Sequence, residues 1–151
     1  MASPHPELVE HISQIAWESS SEGGIFWFNL RWYEYVGDFQ AKSRAEIIAA
    51  IMHPDDTAEV AQSFEVAVRT KSYWRCKYRL RRHDGMFRWF LGEAFPMKAA
   101  DGSIEYWAGS ATDINILVEV EAGLNKLIDS RIAEIGKIAA ETVQALKGST
   151  P

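Results

Sequence analysis

The most constraining feature of the sequence is a series of three strand-like segments that leads directly into a long helical pattern. The segments cover residues 73–82, 86–91 and 104–112. Asp84-Gly85 separates the first two and Asp101-Gly102 precedes the third, and such pairs are typical of tight turns between antiparallel strands. We therefore predict three antiparallel strands in succession, and the chain leaves the last of them at Asp113 to enter a helix.

The distribution of aromatic residues divides the chain into two parts. All eighteen aromatic side chains lie between Trp17 and Trp107, and none follows. Large rings fill globular cores, whereas a stripe of leucine, isoleucine, valine and alanine suits the seam between paired helices. The predicted organisation has four parts: an N-terminal cap segment (1–11), a globular domain (12–115), a coiled-coil signalling helix (116–147) and a disordered end (148–151).

Ahead of the three strands, the sequence predicts two more strands and several helices. Asn29 can cap a short helix that ends at Gly37. Ser43 and Glu46 form a capping-box pattern, and Pro54 suits the first turn of a longer helix. The predicted elements are helices at 8–12, 30–36, 44–52 and 54–69, and strands at 13–18 and 25–28. This order indicates an α+β fold, a five-stranded antiparallel sheet with helices on one face.

The segment after residue 114 has the periodicity of a helix with one apolar stripe. The spacing is regular up to Leu127, shifts near Ile128 as in a stutter, and then resumes. A single helix with one apolar stripe and no core to cover is marginal in water, so we predict a homodimer through a coiled coil. The predicted seam consists of Leu117, Val120, Leu124, Ile128, Ile132, Ile135 and Ala139.

Composition excludes several classes of function. The net charge of −5 argues against a nucleic-acid-binding protein, and the single cysteine, Cys76, excludes an intrachain disulfide. The N-terminus lacks the charged and apolar pattern of a signal peptide, and no apolar run is long enough to span a bilayer. We expect a cytoplasmic protein that does not insert into membranes.

Short motifs in the globular part occur together in the order and spacing of a known family. They are Trp32-Tyr-Glu-Tyr-Val-Gly37, His53-Pro-Asp-Asp56, Tyr78-Arg-Leu-Arg-Arg82 with Asp84-Gly85, Arg88-Trp-Phe90, Pro96, Asp101-Gly102, Trp107-Ala-Gly109 and Asp113-Ile-Asn115. Over residues 12–115 the chain resembles a PAS domain of the subgroup with a His-Pro-Asp-Asp element and an Asp-Ile-Thr-like ending. Asn115 departs from that ending, where threonine or serine is commoner.

The resemblance implies a five-stranded sheet that cups a small hydrophobic cavity, where a small apolar ligand could bind. It also implies a sensory or dimerisation role upstream of a kinase, cyclase or chemotaxis module that lies outside this chain. The residues expected to line the cavity are Phe64, Val68, Trp74, Cys76, Tyr78, Leu80, Phe90 and Trp107. The face that strand 86–91 turns to the cavity depends on the turn before it. A two-residue Asp84-Gly85 turn is expected to pair Leu80 with Trp89, and a three-residue loop to pair it with Phe90.

The side chains that could carry chemistry each have a simpler structural interpretation. His53 could ligate haem or a metal, but it also precedes Pro54 at a helix start and can bond locally. Cys76 could form a flavin adduct, but it lies in a strand without the surrounding flavin motif. Asp55 and Asp56 could act as a catalytic pair, but two carboxylates also stabilise the positive end of a helix. We therefore predict no enzymatic activity, no metal and no cofactor; haem stays a less favoured alternative and flavin is disfavoured.

Residues 69–88 contain eight of the sixteen lysine and arginine residues. Trp74, Cys76, Tyr78 and Leu80 alternate there with basic residues, so the rings should face the core and the cations the other side. RNA-binding sheets expose their aromatic residues, so a solvated or partner-facing basic surface fits better. The next strand is apolar on both faces, and we expect residues 8–12 or a second subunit to cover its outer side.

These observations favour a non-enzymatic sensor whose state reaches the coiled coil through Asp113, Ile114 and Asn115. Asp113 can pair with a nearby arginine or cap the outgoing helix. Two alternatives stay open. One is a cofactor-free scaffold that only mediates dimerisation, and the other is a haem-binding gas sensor.

Overall fold

A computed structural model describes residues 7–39 and 42–149 and confirms the α+β fold. The elements follow one another as α1 (Glu7–His11), β1 (Ile15–Ser20), β2 (Ile25–Phe28), α2 (Leu30–Val36), α3 (Arg44–Ile51), α4 (Pro54–Thr70), β3 (Trp74–Arg81), β4 (Phe87–Lys98), β5 (Ile104–Asp113) and α5 (Asn115–Gly148). The five strands form one sheet in the order β2-β1-β5-β4-β3, and each neighbouring pair is antiparallel.

Local sequence signals explain where most helices begin. Ser43 Oγ accepts a hydrogen bond from the Glu46 N–H, and the Glu46 carboxylate accepts one from the Ser43 N–H, so the capping box is confirmed. Pro54 occupies the first turn of α4, as predicted. Lys71 ends that helix in the left-handed conformation, with φ of 53°.

Asn29 precedes α2 as predicted, but its side chain does not cap that helix. It is fully buried, and its Oδ1 accepts a hydrogen bond from the Ala16 N–H at 3.0 Å. Its amide group donates to the carbonyl oxygens of Val9 and Gln14 at 2.9 and 3.1 Å. Asn29 therefore joins β1 to the N-terminal helix, because buried backbone groups there need partners.

The β3–β4 hairpin differs from both registers that the sequence left open. Leu80 pairs with Arg88, and the Arg82 N–H donates to the Met86 carbonyl, which leaves a three-residue loop centred on Asp84. The prediction that Leu80 pairs with Trp89 or Phe90 was wrong. β4 also continues to Lys98, beyond the predicted end at residue 91. In this register the Phe90 side chain shares the face of Leu80 and is buried.

The core of residues 1–115 is a cluster of aromatic rings between the sheet and its helices. Phe64 of α4 makes edge-to-face contacts with three tryptophans, at centroid distances of 5.3 to 6.0 Å, and they are Trp17, Trp74 and Trp107. Such contacts add about 0.5–1.5 kcal/mol per pair beyond the area that they bury. The rings therefore fix how α4 packs on the sheet.

The outer side of the sheet carries exposed apolar side chains. Phe95 is 58% exposed, and Phe87, Met97 and Tyr73 are also exposed. α1 packs against α2 and leaves these side chains uncovered, so the prediction that residues 8–12 cover them was wrong. Residues 1–6 of the predicted cap segment lie outside the described residues. A covering second subunit stays a prediction.

Contacts divide the chain into two compact units, residues 1–115 and 116–151. The second unit is the helix α5, which ends at Gly148, and residues 150–151 of the predicted disordered end lie outside the described residues. None of the helices within 7–39 and 42–149 is both long and apolar enough to cross a membrane.

Candidate functional site

The candidate site is an apolar cavity of about 180 Å³ within the first unit. The sheet forms one wall through β1, β2, β3 and β5, and helices α2, α3 and α4 form the other. Its lining residues are Ile15, Trp17, Gly23, Ile25, Phe28, Trp32, Ile48, Met52, Val60, Ala61, Phe64, Trp74, Tyr78, Leu80 and Ala111. A cavity with this lining suits a small apolar molecule.

Half of the residues predicted for the cavity lie on its surface. Phe64, Trp74, Tyr78 and Leu80 line it. The other four, which do not line it, are Val68, Cys76, Phe90 and Trp107. Cys76, Phe90 and Trp107 are buried in the core instead, and Val68 is partly buried against that core.

Several lining residues escaped the sequence analysis, although signals for them were present. Trp17, Phe28 and Trp32 lie in the cavity wall. These residues belong to β1, β2 and α2. The apolar pattern of each segment predicted its secondary structure, but it did not indicate which side chains would face the cavity. Ile25 and Phe28 bracket one short apolar strand, and alternation over four residues defines its faces weakly.

Polar atoms in the cavity wall are few. The Trp74 indole N–H donates to Ser63 Oγ at 2.9 Å and is therefore paired. The Trp32 indole N–H is buried and has no partner within the described residues. An unpaired buried donor costs about 1–3 kcal/mol. Burial raises the pKa of the Tyr78 hydroxyl, so Tyr78 is neutral in the physiological range.

His53 and Cys76 both have ordinary structural surroundings. The His53 Nδ1 accepts a hydrogen bond from the Asp55 N–H at 3.2 Å at the start of α4, so the local interpretation of this residue is confirmed. Burial raises the pKa of the Cys76 thiol, which disfavours the reactive thiolate. Among the residues that the structure describes, no three histidine, cysteine or acidic side chains cluster as a metal site would require.

The carboxylate of Asp56 holds α4 against β3. Arg79 donates to it from Nε at 2.9 Å and from Nη2 at 2.7 Å, and the Arg79 backbone N–H adds a bond at 2.8 Å. These hydrogen bonds lower the pKa of the Asp56 carboxyl. The guanidinium also lies 4.8 Å from the centroid of the Trp89 ring. Asp56 therefore has a structural role here.

The residues predicted to couple the sheet to the helix meet at the end of β5. Arg88 Nε donates to Asp113 Oδ2 at 2.6 Å, and Nη2 donates to Oδ1 at 3.3 Å. Asp113 Oδ1 also accepts from the Asn115 N–H at 3.0 Å. The hydrogen bond to Asp113 raises the pKa of Arg88. One carboxylate thus binds both β4 and the first residue of α5.

Trp89 adds two backbone contacts to this junction. Its N–H donates to Asn115 Oδ1 at 3.1 Å, and its carbonyl accepts from the Ile114 N–H at 2.8 Å. The Ile114 side chain is buried. Asn115 is the residue that departs from the commoner Asp-Ile-Thr ending. Its amide oxygen accepts the Trp89 N–H, a role that a side-chain carbonyl oxygen can fill.

The sheet, the cavity beneath its helices and the bonded junction at its last strand define a sensory domain. The chain belongs to the PAS family: the family described as PAS fold matches residues 26–111. PAS domains are sensory modules and are generally non-enzymatic. The expected family is thus confirmed, whereas the subgroup stays a prediction.

Three known proteins illustrate the similarity. The uncharacterized protein y4lL of Sinorhizobium fredii is 30% identical over 111 residues, which are 74% of this chain and 13% of that protein. The peroxide stress-activated histidine kinase mak1 of Schizosaccharomyces pombe is 26% identical over 69% of this chain and 6% of its own length. A sensory box histidine kinase/response regulator structure from Burkholderia thailandensis aligns with a TM-score of 0.60 at 19% identity, over 83% of this chain and 95% of that one.

Proposed function

We propose that this chain is a cytoplasmic PAS sensor and dimerisation module without enzymatic activity. Occupancy of the cavity by a small apolar ligand, or a change in the sheet, alters the junction at Asp113. The junction then changes the pairing of two α5 helices, which pass the signal to an output module. The observation that carries the proposal is the Asp113 carboxylate, which bonds both Arg88 of β4 and the N–H of Asn115.

The junction supports coupling because it joins β4 directly to the first residues of α5. Movement of β4 changes the position of the Arg88 guanidinium and the Trp89 backbone together, and both are bonded to residues 113–115. A switch needs an element whose two arrangements differ by only a few kcal/mol. The Arg88–Asp113 ion pair has two partly exposed side chains. Such a pair contributes about 1 kcal/mol or less, so breaking it costs no more than a switch allows.

The second support is the apolar stripe of α5. Its predicted seam residues are all exposed in the single chain, and they are Leu117, Val120, Leu124, Ile128, Ile132, Ile135 and Ala139. The helix contains 34 residues and would measure about 50 Å. Pairing with a second copy removes this stripe from water. The exposed side chains Phe95 and Phe87 on the sheet offer a second surface for the same dimer.

The output module that fits best is a histidine kinase. Two of the similar proteins bear that name, mak1 and the Burkholderia protein. The chain spans only 13% and 6% of the two curated relatives, so it corresponds to one module of those proteins. In such an arrangement α5 would continue towards the catalytic part of the kinase.

A second candidate is a scaffold that dimerises without a ligand. The observation in its favour is the aromatic cluster around Phe64, whose rings contact one another beside the cavity and give that wall a packed core of its own. The less favoured haem sensor would need an axial ligand, and no histidine or cysteine is found among the described residues that line the cavity.

The proposal is tested by measuring assembly and bound molecules in the same preparation. Sedimentation equilibrium should give a dimer, and native mass spectrometry followed by denaturing extraction should release a small organic molecule. A dimer that never carries or binds a small molecule supports the scaffold instead. A monomer at every concentration contradicts both candidates, because each requires a dimer.

A further inference from the structure

The hydroxyl group of Tyr78 is an unpaired polar group in the wall of the cavity. Tyr78 is 7% exposed and lines the cavity. Its hydroxyl forms no hydrogen bond with any residue that the structure describes. A buried hydroxyl without a partner is uncommon in proteins, because nothing replaces the hydrogen bonds that it made to water.

The neighbouring Gly92 shows where this hydroxyl lies. Gly92 belongs to β4, next to β3, and a Cβ at that position would fall 2.8 Å from the Tyr78 hydroxyl oxygen. The Tyr78 ring therefore crosses β4 on the inner face of the sheet. Gly92 pairs in turn with Ala111 of β5, which also lines the cavity. The hydroxyl thus points across Gly92 towards a second residue of the cavity floor.

The Tyr78 oxygen is open to a bound molecule, whereas the indole N–H of Trp32 is not. Among the buried and half-buried residues that the structure describes, Trp32 Nε1 is the one side-chain nitrogen or oxygen that is both unpaired and closed off from a water-sized molecule. The Tyr78 oxygen is unpaired without being closed off. Because its ring and Ala111 both line the cavity, the cavity is the space to which this oxygen opens.

We propose that the cavity binds a small neutral alcohol or phenol of about one ring, and that the Tyr78 hydroxyl forms a hydrogen bond with the hydroxyl of this ligand. Two hydroxyl groups can pair in either direction, because each of them can donate or accept. This inference rests on the proposed ligand-sensing function of the cavity and specifies the chemistry of the ligand.

The other polar groups of the wall make Tyr78 the contact. Tyr78 has the only side-chain oxygen among the described residues that line the cavity, so a ligand hydroxyl finds its side-chain acceptor there. The Trp74 N–H already donates to Ser63 Oγ. The Trp17 N–H can donate to a ligand but cannot accept from one.

The lining and the volume limit the charge and size of the ligand. None of the described lining residues carries a charged side chain, and a charged ligand would lose its water without gaining a counterion. The cavity measures about 180 Å³. An apolar cavity of about 150 Å³ is known to hold benzene, so a single ring with a small substituent fits.

An unpaired hydroxyl has a distinctive effect on stability. Tyr78→Phe keeps the ring and removes a group that has lost its water without gaining a partner. Without ligand, this variant should melt at the temperature of the unchanged protein or slightly above it. Tyr35→Phe is the matched control, because the buried Tyr35 hydroxyl donates to the Leu80 carbonyl oxygen at 2.9 Å. Its loss should lower the melting temperature.

Two probes that differ in one group test the proposal. Phenol carries a hydroxyl where toluene carries a methyl group, and the two molecules have nearly the same shape. Both are titrated into the full chain and into the variants Tyr78→Phe, Tyr35→Phe and Trp17→Phe. Binding is followed through the amide resonances of Gly92 and Ala111 in ¹H–¹⁵N spectra.

Phenol should bind the unchanged protein at least as tightly as toluene, with a dissociation constant on the order of 1 mM or tighter. A cavity without a polar partner would favour toluene, because phenol would leave water without a replacement hydrogen bond. Tyr78→Phe should weaken phenol binding about tenfold relative to toluene binding. Tyr35→Phe and Trp17→Phe should each change the binding of both probes by the same factor.

Three results would overturn the inference. If toluene binds but Tyr78→Phe leaves the ratio of the two affinities unchanged, or if Trp17→Phe alone changes that ratio, the cavity binds ligands without recognition by Tyr78. If neither probe binds the unchanged protein, the ligand-sensing function fails as well. A Tyr78→Phe protein that does not fold, or that melts as early as Tyr35→Phe, would show that the hydroxyl stabilises the fold instead.

Discussion

Arg88 and Asp113 form a two-point ion pair across β4 and β5, with Nε 2.6 Å from Oδ2 and Nη2 3.3 Å from Oδ1. The same carboxylate accepts the N–H of Asn115, where α5 begins. Sequence motifs had marked Asp113 as a residue that could pair with an arginine or cap the helix, and it does both. The two interpretations are therefore compatible, and substitutions at this carboxylate change both contacts at once.

Asp113→Ala should lower the free energy of unfolding by about 1–2 kcal/mol, because it removes a charge-assisted pair and the acceptor for the Asn115 N–H. If the junction couples sheet to helix, the dimer dissociation constant should also change by about fivefold or more. Urea unfolding and sedimentation equilibrium measure the two effects.

Asp101→Ala is the matched control for this change. Asp101 also accepts a backbone N–H two residues ahead, that of Ser103, but in the turn between β4 and β5. Its replacement should leave dimerisation unchanged. An Asp113→Ala protein that assembles and unfolds like the unchanged chain would remove the coupling proposal.

Acid should weaken the contact between α4 and β3. The hydrogen bonds from Arg79 lower the pKa of Asp56 in the folded state, so this carboxyl stabilises the fold at pH values above its unfolded pKa of about 3.9. That stabilisation is lost as the pH falls through the lower, folded-state pKa. Asp56→Asn should therefore be less stable than the unchanged protein at neutral pH, and the difference should shrink below about pH 4.

Urea unfolding between pH 7 and pH 2 measures this difference. Asp55→Asn serves as a comparison, because the Asp55 side chain is 76% exposed and lies 3.8 Å from the same Arg79 Nη2, so it should show only a small part of the effect. A constant difference between the unchanged protein and Asp56→Asn across this range would show that the Arg79 pair contributes nothing through its charge.

Gly109→Ala should destabilise the first unit. Gly109 lies on β5 opposite Trp17, and a Cβ there would fall well inside the contact distance of the Trp17 ring. Moving that ring disturbs the cavity wall, at a cost of about 1–3 kcal/mol. Thermal unfolding and tryptophan fluorescence measure the effect. Gly123→Ala in α5 should do the opposite and stabilise by about 1 kcal/mol, because nothing lies near its Cβ position.

Periodic segments were the part of the fold that sequence reasoning predicted well. The alternation of Trp74, Tyr78 and Leu80 with basic residues predicted the buried and exposed faces of β3 correctly, because side chains alternate along any strand. The capping box at Ser43 located the start of α3, because its hydrogen bonds are local.

Features that depend on tertiary contacts were missed. The β3–β4 hairpin is a different case: its three-residue loop was one of the two that the sequence allowed, but the pairing expected from it was wrong, because closure by Arg82 and Met86 places Leu80 opposite Arg88. β4 continues past Gly92 and Pro96, two residues that usually weaken strands, because β5 pairs with it along that length. The buried bonds of Asn29 join residues up to twenty positions apart, so no local pattern indicates them.

Ile132→Lys should convert the dimer to a monomer if the predicted seam is correct. Ile132 lies at the centre of the exposed stripe, and a lysine pair at that position would place two charges in an apolar seam. Ser130→Lys introduces the same charge two residues earlier, off the seam, and should leave the dimer intact. Size-exclusion chromatography with light scattering compares the two variants. Equal behaviour would contradict the predicted seam.

The central claim is that two copies of this chain pair through α5, which the proposed relay through Asp113 requires. Small-angle X-ray scattering of the unchanged protein, collected directly from a sizing column, tests it most directly. The account predicts twice the mass of one chain, with α5 ordered as a helical rod of about 50 Å. A monomer whose last thirty-odd residues scatter as a random chain would contradict it.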